Sequence, residues 1–105
     1  MGKLDEEDLR SRTLPMTSRV SIIIPTLNEA TSLGSTLRLL QLLNPPAWEV
    51  LVVDGGSEDE TIKVAQVAKV SVILSKQKGR SIQMNRGAEA ATGDILCFLH
   101  ADTKV

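Results

Sequence analysis

The chain has no excess of charge of either sign. Twelve Lys and Arg stand against 13 Asp and Glu, for a net charge of −1 with the histidine neutral. That balance excludes nucleic-acid binding through bulk positive charge, while leaving room for one phosphate-binding pocket. Long apolar runs are also missing: nothing approaches the roughly 20 apolar residues that span a bilayer. The acidic start, Met1 through Asp8, is unlike a secretory signal, which begins basic and turns apolar. These absences predict a soluble, cytoplasmic protein. Cysteine is nearly absent. Cys97 stands alone and cannot form an internal disulfide. Its neighbours Leu96 and Phe98 offer nothing to lower a thiol pKa, so it is expected to be a small core residue rather than a nucleophile.

Several signatures of nucleotide or covalent chemistry are missing too. No Gly-x-Gly-x-x-Gly follows the first apolar run, which argues against a nicotinamide-dinucleotide fold. There is no Gly-x-x-x-x-Gly-Lys-Ser/Thr, no Cys-x-x-Cys and no Gly-x-Ser-x-Gly. A flavodoxin-like or receiver-like domain would want an acidic cluster after the first strand and a fifth βα unit, and has neither here.

What is present is a regular alternation. The 105 residues suffice for one domain, and 42% apolar content permits a real core. Residues 1–18 read as a polar N-terminal tail, and 19–105 as the domain. Met16 lies just before the first strand, so a start at that methionine and an ordinary tail both remain open. Val20 to Ile24 reads as a strand stopped by Pro25, and Glu29 to Leu43 as a helix capped by Asn28. Glu49 to Val53 is a second strand. Ser57 with Glu60 fits a capping box for a helix running to about Lys69, with Glu58, Asp59 and Glu60 in its first turn. Val70 to Leu74 is a third strand, Ser81 to Ala91 a third helix, and Asp94 to Leu99 a fourth strand. Small residues Gly87, Ala88 and Ala91 would let the third helix lie close to the sheet. This order predicts a three-layer α/β/α fold with a mostly parallel sheet, four strands alternating with three helices and covered on both faces.

Polar clusters follow the strands, where ligands bind in an open α/β sheet. The first is Pro25-Thr26-Leu27-Asn28-Glu29, which turn and cap chemistry alone would also explain. In the second, Asp54-Gly55-Gly56-Ser57, the carboxylate can accept from a base or ribose, and the glycines allow close backbone approach. The third, Lys76 to Ser81, places Lys76, Lys78 and Arg80 before a helix N-terminus, which suits a diphosphate or, equally, a solvated basic loop. Asn85 is an unexpected polar residue on that helix. In the fourth, His100-Ala101-Asp102, alternate residues share a face, and Asp102 offers oxygen to Mg²⁺ or Mn²⁺.

Taken in order, these segments resemble the family 2 glycosyltransferases of GT-A fold, over residues 20 to 103. Ser21 to Glu29 looks like that family's opening strand, and Val52 to Thr61 like its second-strand motif. Gly79-Arg80 through Ala88 resembles its third helix, and Gly93 through Asp102 the strand leading into its DxD motif. The His-Ala-Asp-Thr ending and the Gln83-Met84-Asn85 stretch are similar to a bacterial subgroup linked to arsenosugar or selenodomain-associated biosynthesis. The resemblance implies a nucleotide pocket lined by Pro25, Thr26, Asn28 and Glu29, with Asp54 holding the base. It also implies Arg80 near the diphosphate, with Gly56, Asn85, His100 and Ala101 in the substrate-binding set. Asp102 would contact the metal, Mg²⁺ or Mn²⁺. His100 stands where the motif has its first Asp, and imidazole is the poorer Mg²⁺ ligand.

The resemblance implies a chain that supplies the donor half of a transferase acting on a nucleoside diphosphate sugar, UDP-sugar most of all. The catalytic base is expected outside this sequence, so the isolated chain should be weakly active or inactive. The competing expectation is a non-catalytic nucleotide-binding or interaction module that pairs with itself or a partner through an exposed sheet edge.

Overall fold

The structure, a computed structural model, describes residues 19–101. Four strands and three helices alternate: β1 (Val20–Thr26), α1 (Ala30–Leu40), β2 (Glu49–Asp54), α2 (Thr61–Val67), β3 (Ser71–Leu74), α3 (Arg80–Ala90) and β4 (Ile95–Phe98). The strands form one parallel sheet in the order β3-β2-β1-β4. This is the expected α/β architecture. Among the described residues no helix is long and apolar enough to cross a membrane.

Side-chain alternation along the central strands builds two cores. Ile22, Ile24 and Val52 pack with Leu33 and Leu37 of α1 and Ala65 of α2 on one face. Ile23, Leu51 and Val53 point to the other face, where Ala88 of α3 and the following Ala91 cover them. The third helix lies directly on the sheet. A Cβ at Gly87 would collide with Ile23 Cγ2 and come within 3.1 Å of Val53 Cγ2, so only glycine permits this approach.

The expected element edges move for physical reasons. β1 runs through Pro25 to Thr26 rather than stopping at Ile24. The carbonyls of Arg19 and Ile23 serve the β4 side, while those of Val20 and Thr26 serve the β2 side. By that alternation the donor missing from Pro25 faces the β4 side. There β4 has already ended, with Phe98 paired to Ile23. α1 stops at Leu40 because Leu42 and Leu43 find no core and are exposed.

The capping box does not form. Ser57 turns back to Asp54, and Glu60 makes no side-chain cap, so Glu58 to Glu60 precede α2 instead of opening it. Asp59 Oδ1 instead accepts from the Thr61 amide at 2.9 Å.

The edge strands differ from expectation. Only β1 and β2 are buried on both faces. β4 is exposed along its length, with Ile95 at 45% and Phe98 at 46%. Cys97 is accordingly exposed and not a core residue. The cause is position: among the described residues β4 is an outer strand of the sheet.

From β1 the chain winds outward through β2 to β3. It then crosses back by way of α3, on the opposite face, to β4. The direction of winding therefore reverses between β1 and β4. Crevices open at such a reversal, beyond the carboxyl ends of the strands.

Candidate functional site

Two loops at that end are laced together. Asn28 takes a positive φ of 53° and donates its amide to Ser57 Oγ at 2.8 Å. Its side-chain Oδ1 accepts from the Glu58 amide at 2.8 Å. Asn28 thus caps the β2–α2 loop and not its own helix, where Glu29 occupies the N-cap position. The Glu29 amide donates to Thr61 Oγ1 at 2.8 Å, and the Leu27 amide donates to Glu29 Oε1 at 2.9 Å.

Asp54 organises the same turn from beneath. It is fully buried at the end of β2. Its Oδ1 accepts from Thr26 Oγ1 at 2.8 Å and Ser57 Oγ at 2.5 Å. Its Oδ2 accepts from the amides of Gly56 at 3.0 Å and Ser57 at 2.7 Å. An ionised carboxylate has about four acceptor positions. All are filled from within the protein, so Asp54 braces the loop and, in this arrangement, has no oxygen free to hold a base.

Beside this brace lies a cleft of about 260 Å³, lined by Pro25, Thr26, Leu27, Glu29, Gly79, Arg80 and Gln83. Four of the residues singled out in sequence meet here: Pro25, Thr26, Glu29 and Arg80. The others fall elsewhere. Gly56 is exposed at a φ of 105°, in the turn around Asp54. Asn85 is exposed on α3 and does not line the cleft. Ala101 is buried in the α1–α2 core, its carbonyl accepting from Thr36 Oγ1 at 3.1 Å, so its side chain is a packing group. His100 follows β4, and its buried Nδ1 has no hydrogen-bond partner among the described residues. Asp102 lies outside the described residues.

The cleft carries both signs of charge. Glu29 contributes a carboxylate. Arg80 opens α3, whose first amides lack intrahelical partners, so side chain and helix dipole both favour an anion there. A ligand with hydroxyl or N–H donors at one end and a diphosphate at the other matches this polarity. Among the described residues no group of three His, Cys, Asp or Glu is placed to hold a metal ion. A larger groove of about 430 Å³ between α1 and α2 contains none of the expected site residues.

Gln83 was not singled out in sequence as a cleft residue. Its signal was available: it is a buried amide one helical turn before Gly87, on the face that meets the sheet.

The family model described as glycosyl transferase family 2 matches residues 21–105. A PGL/p-HBAD biosynthesis glycosyltransferase of Mycobacterium tuberculosis is 39% identical over 88 residues, covering 78% of this chain and 34% of the relative. The crystal structure of mannosyl-3-phosphoglycerate synthase from Rubrobacter xylanophilus superposes with a TM-score of 0.80 at 29% identity, covering 99% of this chain and 37% of that one. Glucosyl-3-phosphoglycerate synthase from Mycobacterium tuberculosis, solved with Mn²⁺, UDP and phosphoglyceric acid, shares the fold at a TM-score of 0.74 and 22% identity, covering 96% of this chain and 38% of that one. The chain spans about a third of the length of these proteins. With a family model matched from β1 onward, on the fold those structures share, the chain belongs to glycosyl transferase family 2.

Proposed function

We propose that this chain forms the donor-binding part of a glycosyltransferase that moves a sugar from a nucleoside diphosphate sugar, UDP-sugar foremost, to an acceptor. The observation that carries this is the cleft at the sheet's carboxyl end, where Arg80 and the N-terminus of α3 face Glu29 across a cavity of about 260 Å³. The diphosphate would lie at the Arg80 end, with Glu29 accepting from ribose or base. Pro25 and Leu27 supply apolar wall. Asn28, Gly56 and Asp54 shape the wall without touching the ligand.

A Mg²⁺ or Mn²⁺ ion would be held with Asp102 and would neutralise the departing diphosphate. The buried Nδ1 of His100, two positions earlier and without a partner among the described residues, supports a polar function for this corner.

Calorimetric titration with UDP, with and without Mn²⁺, tests the proposal on wild type and Asp102→Ala. Binding that Mn²⁺ strengthens in wild type only is the expected result. Absence of UDP binding, with or without the ion, overturns the donor-site proposal. Metal-independent binding unaffected by the substitution overturns the role of Asp102.

The apolar strand β4, exposed among the described residues, supports a second reading, a binding module that pairs with another polypeptide along that strand. Sedimentation as a monomer at high concentration, with no partner recovered, would count against it.

A further inference from the structure

We infer that Gln83 is a positioning residue that holds the three segments of the cleft in register, and that Gly55 is glycine because Gln83 fills the space beside it. The inference rests on the donor-site proposal for its functional consequence, and on geometry for the rest.

Gln83 is 4% exposed, and the structure gives its side-chain amide a partner in each segment. Its Nε2 donates to the carbonyl of Thr26 at 3.0 Å, at the end of β1. The same nitrogen donates to the carbonyl of Val53 at 2.8 Å, immediately before Asp54. Its Oε1 accepts from the amide of Gly79 at 3.2 Å, immediately before Arg80. Both donors of the amide are thereby used, along with one acceptor position. A single side chain ties the β1 end, the β2 end and the entry to α3. Gln83 acts through its neighbours: it fixes where Thr26, Asp54 and Arg80 begin.

Gly55 completes the relationship. It does not adopt a positive φ, unlike Gly56 and Gly79, so its backbone does not demand glycine. Space does. A Cβ at position 55 would sit 2.8 Å from Gln83 Oε1 and 3.0 Å from its Cδ. The amide of Gly55 also donates to the Thr26 carbonyl at 2.9 Å, the same oxygen that receives Gln83. Any side chain at 55 therefore displaces the amide that aligns the cleft. The two positions are coupled although they lie on different elements.

The test is a double-mutant cycle on the purified protein with Gln83→Ala, Gly55→Ala and the pair. It has two readouts: calorimetric affinity for UDP, and amide hydrogen exchange at Gly55 and Gly79 relative to Ile24 in the central strand. Gln83→Ala should weaken UDP binding by about tenfold and speed exchange at both glycine amides by about tenfold relative to Ile24. Gly55→Ala should cost as much in the wild-type background and far less beside Gln83→Ala, because the clash is gone.

If Gln83→Ala fails to fold, Gln83→Met keeps the bulk, lacks the amide, and should show the same selective exchange. Unchanged relative exchange at both amides, or additive costs across the cycle, overturns the inference. Faster exchange with unchanged UDP affinity overturns the link to the donor cleft. If wild type itself binds no UDP, the donor-site proposal fails, and the exchange cycle still decides whether Gln83 and Gly55 are coupled.

Discussion

Thr26 Oγ1 donates to Asp54 Oδ1 at 2.8 Å, joining the ends of two strands through groups 28 residues apart in the chain. Both residues are buried, and Thr26 lines the cleft. Replacing Asp54 with Ala would strand the hydroxyls of Thr26 and Ser57 and the amides of Gly56 and Ser57. Each buried donor left unpaired costs about 1–3 kcal/mol where water cannot reach it. Of these, only the Thr26 hydroxyl is fully buried, so Asp54→Ala is expected to lose about 1–3 kcal/mol of stability, measured by urea denaturation. A loss below about 1 kcal/mol would show that the brace is not structural.

Gly87→Ala separates packing from helix propensity. Alanine is the better helix former by about 1 kcal/mol. Against that, its Cβ collides with Ile23 in a closely packed interface. Overpacking of this kind costs about 1–3 kcal/mol, and α3 is expected to lift from the sheet. The midpoint of thermal unfolding should fall; a rise would mean that α3 does not lie directly on β1.

Arg80→Ala should weaken UDP binding by about fivefold to tenfold at low salt, and by less at high ionic strength, because the contact is charge-assisted and exposed. Stability should stay within about 0.5 kcal/mol of wild type, since the side chain lies at the surface. Titrations at two salt concentrations check this. Unchanged affinity in both removes Arg80 from the donor site.

Acid sensitivity should be traceable to Glu49. The Ser21 hydroxyl donates to its Oε2 at 2.6 Å, as does the Thr92 amide, also at 2.6 Å. These bonds, led by that from Ser21, hold its pKa below the ordinary carboxylate value. A depressed folded-state pKa contributes stability that is present above the unfolded-state value of about 4.3. That contribution is lost as pH falls through the folded-state value. Ser21→Ala should therefore lower stability at pH 7 and flatten its decline below pH about 4. Parallel urea titrations across that range test it, and curves of equal slope would count against it.

Local order was legible in the residues. Ile22 to Ile24 and Leu51 to Val53 are strands by composition, and Leu33 and Leu37 mark a helix by spacing. Pro25, Thr26, Glu29 and Arg80, assigned to a nucleotide pocket through the family resemblance, line one cleft in the structure. Asn28 does not cap the helix that follows it: its side chain accepts from the amide of Glu58, 30 residues away, and no local pattern records that. Ser57 matched a capping box in spacing, but Asp54 holds it in a turn that keeps α2 from starting there.

Sequence by itself determined the alternation of strands and helices, and with it a parallel sheet, because periodicity of apolar residues is a local property of the chain. It also determined that polar groups would follow the strands. Tertiary packing placed β4 at an edge of the sheet among the described residues, exposing Cys97, and reversed the winding between β1 and β4. It alone decided that Asp54 is saturated from within and that Gln83 stands against Gly55. These outcomes depend on which distant segments become neighbours, and hydrogen-bond capacity and free space are settled only when those neighbours meet.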